Sequence, residues 1–380
     1  MHIGIDASNA RSGGIITHIA ELLAHADPQR HGITKVTVWG ASVVLDRIPR
    51  RPWIDAVHVP MLERRLPWRS AWQLFERSRT ASAAGCDVLF APSAAPVASF
   101  QPYVTMSANL LPFEPRERAR YGWSRQGIRF RILRLTMGHT FRESSAVIFL
   151  TEHARSVVSS RIGLNGSVRT AVIPSGVHDR FRTRPRPARP LSSYSERDPF
   201  RFLYVSDVHP YKHTWNVAEA VARLRREGLP VALDLIGSPI HRPSAQHLDR
   251  TLAELSRETD AIRFLGPLSH DSLPPIYREA GTFVFASTCE NLPLSLVEAM
   301  ASGLPIAASQ TRPMPDLLGD GAVYFDAENV TSIADTLRAL AADPARRDAI
   351  ARGAYEAAAR YSWDECADRT FALLAQVARK

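Results

Sequence analysis

The chain opens on a short apolar run, His2 to Asp6, which passes through a loop holding Ser12, Gly13 and Gly14 into a segment, Ile15 to Ala24, with apolar residues at helical spacing. A short apolar run, a glycine loop and a periodic helix form the pattern of a buried strand feeding a helix. Further apolar runs at Lys35 to Trp39, Asp87 to Ala91, Tyr103 to Met106 and Ala146 to Leu150 are separated by helical or loop-like sequence. Such alternation predicts a parallel sheet with helices on its faces. The second half repeats the pattern more regularly. Strands are expected at Arg201 to Ser206, Val231 to Gly237, Ile262 to Leu265, Thr282 to Ala286, Pro305 to Ala308 and Ala322 to Phe325, with helices near 214–227, 244–258, 271–280, 294–302 and 330–342, and two more, 344–360 and 363–378, at the end. Between the halves, residues 182–199 are rich in Arg, Pro and Ser and read as a linker. The expected organisation is a domain at 1–181, a linker at 182–199, a second domain at 200–360 and a helical segment at 361–380. The fold class is α/β, two Rossmann-like doubly wound domains, and ligands of such folds sit beyond the carboxyl ends of the strands, which places the function in a cleft between the domains.

Composition narrows the class without naming a chemistry. With 380 residues, 45% hydrophobic and 22% charged, the chain is an ordinary globular protein, and disorder and collagen-like structure are excluded. Its formal net charge of +9 suits an anionic partner. Cys86, Cys289 and Cys366 are scattered, which argues against a disulfide framework and a cysteine zinc site and fits a reducing cytoplasm. No basic leader and cleavage site precede the first strand, and no run of about 18 apolar residues occurs, so a cytoplasmic protein without a membrane span is expected.

The stretch from Phe285 to Pro305 carries the most chemistry. A buried strand ends at about Ser287, a polar loop carries Glu290 and Asn291, and a helix begins near Pro293, a residue favoured in the first turn. Free backbone N–H groups of the loop and the helix dipole would then face outward as an anion site. Glu298 follows on that helix, where a carboxylate can accept hydrogen bonds from the two hydroxyls of a ribose, and Glu290 can do the same for sugar hydroxyls. Two glutamates eight apart mean little alone; the strand, loop and helix around them give the spacing its weight.

Together with Ala308-Ser309 and Pro313 to Asp326, this run resembles the signature of family 4 retaining glycosyltransferases of the GT-B fold: Glu-x7-Glu, a Glu-Ala-Met-Ala-x-Gly-x-Pro run and a Met-Pro-Glu-like loop. Tyr204-Val205-Ser206 leading to Tyr211-Lys212-His213 resembles that family's phosphate-binding strand and loop, Ile173 to Val177 its closing run of the first domain, and Ser12-Gly13-Gly14 its N-terminal glycine loop. The resemblance implies that Lys212 neutralises a donor diphosphate, that Glu298 holds the ribose and that Glu290 contacts the transferred sugar. It also implies phosphate contacts from the loop at Asn291, Leu292 and Pro293, and close approach of the first domain's backbone at Gly13 and Gly14. The implied co-substrate is a nucleoside diphosphate sugar, with GDP-mannose as the favoured donor, used with retention and without cofactor or metal.

Two positions depart from that pattern. Asp207 stands where many members carry an arginine, so it must face away from phosphates, and Ser107 or Asn109 stands where many carry a histidine near the reacting centre. His209 and His213, four apart, lack a third ligand and have Pro210 between them, which disfavours a metal site. Arginines and aromatics interleave at Leu66 to Arg79 and across 114–142, including Arg120, Trp123, Arg125 and Arg129. This fits an anionic membrane surface at the inner face of the cytoplasmic membrane or a saccharide or lipid-linked acceptor better than nucleic acid, for which no motif is present. Two other readings share the fold: an epimerase or hydrolase acting on the donor alone, and a nucleotide-sugar binder without turnover.

Overall fold

The computed structural model describes residues 1–10, 13–93, 99–164, 166 and 168–379; Ser12 of the glycine loop lies outside them. The chain divides into two compact units, one of 1–118, 122–176 and 361–380, the other of 119–121 and 177–360.

The first unit is built on a seven-stranded parallel sheet: β1 His2–Asp6, β2 Lys35–Gly40, β3 Ile54–His58, β4 Val88–Ala91, β5 Tyr103–Ser107, β6 Ala146–Phe149 and β7 Arg169–Val172, in the order β3-β2-β1-β4-β5-β6-β7. Its central strands are buried throughout, as parallel strands covered on both faces must be. The outer strands β3 and β7, absent from the sequence reading, are partly exposed. At the carboxyl end of β1 a fully buried ion pair, Arg77 Nη1 to Asp6 Oδ2 at 2.9 Å, ties that strand to a helix, with the guanidinium over the Tyr103 ring at 5.5 Å. The helix Trp363–Ala378 completes this unit: Phe371 meets Trp53 edge-on at 6.5 Å, and Asp364 and Asp368 hold His25 and His31 at 2.8 and 3.0 Å.

The second unit carries six parallel strands: β8 Phe200–Val205, β9 Val231–Ile236, β10 Ile262–Phe264, β11 Thr282–Phe285, β12 Ile306–Ser309 and β13 Val323–Phe325, ordered β10-β9-β8-β11-β12-β13. The order reverses between β8 and β11, which pair through Thr282 with Phe202 and Phe283 with Leu203. The loops that leave these two strands therefore emerge side by side at the carboxyl edge, where open α/β sheets hold their ligands.

The arginine- and proline-rich stretch expected as a linker is instead part of the second unit, whose boundary falls at Gly176/Val177. Thr183 N–H donates to the Ala301 carbonyl at 2.9 Å, Ala188 N–H to Asp348 at 2.7 Å, and the buried Arg347 to the Arg189 carbonyl at 2.6 Å. Gly303, at φ 67°, lies so close under this strap that a Cβ there would come within 2.7 Å of the Thr183 carbonyl and the Pro185 nitrogen.

Next to the glycine loop, on the helix Gly14–Ala24, His18 is buried with its Nδ1 3.1 Å from Ser175 Oγ and its ring 5.5 Å from Trp363. Burial pulls its pKa from the usual 6.5 down to about 4. The unfolded chain thus takes up a proton that the folded unit refuses, and stability present above pH 6.5 is lost as pH falls towards 4. Chemical denaturation of the parent and of His18→Met across this range checks the prediction: the parent should lose stability on acidification, and the variant should show a flatter profile.

Candidate functional site

The site of the second unit starts from two strands that are buried because they are apolar on both faces. β8 ends in Tyr204-Val205 and β11 in Val284-Phe285, each buried or nearly so, and both chains then turn into loops at the switch point. The loops are tied to each other. Thr288 N–H donates to the Tyr211 carbonyl at 2.9 Å, the Thr288 hydroxyl to the same oxygen at 3.3 Å, and His213 Nε2 meets Thr288 Oγ1 at 3.2 Å. Tyr204 reaches up from the strand and donates its hydroxyl to the Lys212 carbonyl at 2.7 Å. Its own hydroxyl is held protonated, because burial pushes the phenol well above its usual pKa. So fastened, the turn Pro210–Lys212 ends at His213 with φ 47°, a left-handed backbone that histidine seldom adopts.

This clamp fixes Lys212. Its ammonium sits 5.1 Å from the Phe285 ring and 5.4 Å from the Tyr211 ring, and it forms an ion pair with Glu290 of the neighbouring loop. Both side chains are nearly nine-tenths buried, so the pair is little screened by water. A cation in an aromatic frame, facing one carboxylate at a sheet's carboxyl edge, is equipped to trade that carboxylate for a stronger anion such as a diphosphate.

From the same loop the helix Leu294–Ala301 begins, with Pro293 as its N-cap. Leu296, Val297, Ala299, Met300 and Ala301 are fully buried, so its axis is set by packing on several sides. Glu298, its one charged residue, is 8% exposed. Its Oε1 lies 2.6 Å from His270 Nε2 and its Oε2 accepts from the Tyr277 hydroxyl at 3.2 Å. Asn291 and Leu292 are also buried in the loop, at 8% and 7% exposure.

Asp207, at the position where many members of the resembled family carry an arginine, accepts a hydrogen bond from the Ser238 backbone N–H at 3.0 Å and so braces the adjacent loop. His209 stacks on Tyr211 at 5.1 Å, and its Nδ1 lies 3.0 Å from the Tyr121 hydroxyl, while His213 turns to Thr288. Among the described residues, no three of His, Cys, Asp and Glu gather as metal ligands would.

The remaining candidates, Arg120 excepted, belong to the first unit. Gly13 has φ 64° and caps the helix that Gly14 begins. Ser107 is fully buried at the last position of β5, and Asn109 spends its side-chain oxygen on the Leu111 N–H at 3.1 Å. Arg125 and Arg129 are exposed on the helix Arg125–Glu143, and Trp123, 81% exposed, carries Arg131 over its ring at 4.2 Å. Arg120 corrects the expected surface: it belongs to the second unit and is ion-paired with Glu328 there. Trp72 likewise packs into the core, leaving Trp68 and Phe75 exposed. Sequence reasoning missed His270, Tyr277 and Arg180, which lie outside the motif and reach Glu298 only through the fold. Their one advance signal was that a carboxylate on an otherwise apolar helix needs a donor.

Residues 192–357 match the family described as glycosyl transferases group 1. The O-antigen chain mannosyltransferase B of Escherichia coli is 31% identical over 170 residues, 44% of this chain and 44% of that protein. The match thus spans less than half the length of this curated relative. Among solved structures, a sucrose-phosphate synthase from Thermosynechococcus elongatus superposes with a TM-score of 0.75 at 17% identity, over 99% of this chain and 98% of that one. The HepE protein of Anabaena, in complex with UDP and glucose, superposes with a TM-score of 0.70 at 16% identity, over 99% of this chain and 100% of that one.

Burial, with the Lys212 charge adding to it, pulls the His209 pKa down to about 4. The ring therefore stays neutral through the physiological range. In a two-dimensional NMR titration its ring signals should hold constant from pH 8 to 5; a midpoint near the usual 6.5 would show that the ring is not buried beside the lysine.

Proposed function

We propose that the protein is a retaining, metal-independent glycosyltransferase: residues 192–357 match the glycosyl transferases group 1 family, and the chain has the GT-B fold, two Rossmann-like domains of parallel sheets. It moves a hexose from a nucleoside diphosphate sugar to a hydroxyl of a saccharide or lipid-linked oligosaccharide in bacterial surface polysaccharide synthesis. The observation that carries this reading is the Lys212–Glu290 pair between the loops of β8 and β11, with Glu298 eight residues on.

In this reaction the bond between the anomeric carbon and the diphosphate oxygen breaks while the acceptor oxygen bonds the same carbon on the same face. The acceptor's proton passes to the departing phosphate. The transition state is a sugar cation beside a growing diphosphate charge, and the protein's task is to stabilise that charge and hold the partners in register. Lys212 releases Glu290 and takes the diphosphate, the N–H groups of Asn291 and Leu292 assist, Glu290 turns to the sugar's hydroxyls, and Glu298 accepts from the ribose. Support for the nucleotide comes from HepE, solved with UDP and glucose, and support for mannose from the E. coli O-antigen mannosyltransferase.

An anionic membrane surface is the proposed second partner. The helix Arg125–Glu143 turns Ile128, Ile132 and Leu135 outward, 44%, 56% and 70% exposed, along a stripe flanked by Arg125, Arg129 and Arg131. Apolar side chains between arginines suit the boundary of an anionic leaflet. No helix among the described residues is long and apolar enough to cross a membrane.

Calorimetric titration with GDP, UDP, ADP and dTDP, without added metal, tests the donor site. One nucleotide should bind, and Lys212→Ala should abolish that binding while circular dichroism stays unchanged; equal affinity in the variant would refute the role of the lysine. Flotation with vesicles containing anionic phospholipid should carry the parent upward, and Ile132→Glu with Leu135→Glu should remain below. A parent that stays wholly in the dense fraction would exclude the membrane partner.

A further inference from the structure

Glu298 cannot orient itself. Its helix is locked by packing, but the carboxylate at the end of a flexible side chain points where its donors hold it. On one oxygen that donor is the Tyr277 hydroxyl, 3.2 Å from Oε2. Burial and the nearby Glu298 charge keep this phenol well above its usual pKa, so it always has a proton to give. On the other oxygen the neighbour is His270 Nε2, 2.6 Å from Oε1.

A neutral imidazole donates from one nitrogen only, and here a third residue decides which. Arg180 meets His270 at Nδ1. A guanidinium has no lone pair to offer, so Nδ1 must be the acceptor, and the ring hydrogen is confined to Nε2, facing Glu298. Arg180 is itself paired with the carboxylate of Asp271. The imidazole plane is held by the Phe181 ring at 5.1 Å, which in turn meets Tyr277 edge-on at 5.5 Å. Asp271, Arg180, His270 and Glu298 form one directed relay drawn from three separate segments of the second unit. His270 is 41% exposed at its side chain, and an exposed contact of this kind contributes little to holding the fold together.

We propose that His270 is a positioning residue for ribose recognition: by donating to Oε1 while Tyr277 donates to Oε2, it turns the remaining lone pairs of Glu298 towards the vicinal 2′- and 3′-hydroxyls of the donor nucleotide. This rests on the reading of Glu298 as the ribose-binding carboxylate. The relay spends one acceptor site on each oxygen and leaves one on each, which is the complement of a diol. Without His270, Oε1 is free to rotate away and the site loses its preference for ribose over deoxyribose, whereas the diphosphate contacts at Lys212 remain.

The experiment is a calorimetric comparison of GDP with 2′-deoxy-GDP and of UDP with 2′-deoxy-UDP on the parent, Glu298→Gln, His270→Ala and His270→Gln. The parent should prefer the ribonucleotide. His270→Ala should weaken the ribonucleotide by about tenfold, the worth of an oriented bond to a charged group, while the deoxynucleotide barely changes and their ratio falls towards one. His270→Gln, whose amide can donate where Nε2 did, should recover most of the preference. An unchanged ratio in His270→Ala, whether the affinities stay or fall together, overturns the inference while leaving the Glu298 reading intact. A full ribose preference in Glu298→Gln, or no binding of either nucleotide by the parent, overturns the reading of Glu298 and the inference with it.

Discussion

One backbone hydrogen bond, from the Thr288 N–H to the Tyr211 carbonyl, joins the two loops on which the candidate chemistry stands. It exists because β8 and β11 are neighbours at the point where the strand order reverses, so two loops far apart in sequence leave the sheet together. With that tie, the Tyr204 hydroxyl and the His213 ring have fixed targets, the turn before His213 can keep its unusual backbone angle, and Lys212 arrives opposite Glu290 rather than in solvent. Each later feature of the site inherits its accuracy from this one.

A second regularity is that each acidic candidate already has a donor inside its own unit. Glu290 is answered by Lys212 and Glu298 by His270 and Tyr277, while Asp207 is answered by an amide. Buried carboxylates without such partners would be protonated or would pull water in. With them, Glu290 is neutralised by Lys212 and Glu298 is held by two hydrogen bonds, so an anion arriving at Lys212 exchanges partners instead of creating charge in a dry place.

Legibility in the sequence followed burial and locality. The inner strands of the second sheet show as apolar runs, because parallel strands covered on both faces admit little else, and its partly exposed edge strand β10 is legible from Ile262 and Phe264. The strands β3 and β7 do not, since Ile54–His58 and Arg169–Val172 lie at the sheet's edges, partly exposed, with polar residues mixed in. In the site, Glu290 and Glu298 stood out because strand, loop and helix signals surround them, and Lys212 through the resemblance of its strand and loop to those of a known family. His270, Tyr277 and Arg180 were invisible, being 28, 21 and 118 residues from Glu298 in the chain. Arg120 misled for a related reason: among many arginines, nothing local distinguishes the one whose partner, Glu328, comes two hundred residues later. Composition also misjudged the stretch 182–199, since prolines suit an extended strap over Gly303 as well as they suit a linker.

The helix Trp363–Ala378 belongs to the first unit although the whole second unit precedes it in the chain. On the ribosome, where chains emerge at about 5–20 residues per second, the earlier segments of the first unit must wait for residues 361–380 before Phe371 can cover Trp53 and Trp363 can cover His18. The second unit, whose main segment is contiguous, can close meanwhile. The first unit is thus discontinuous in the chain, and its core is complete only once residues on both sides of the second unit have been made.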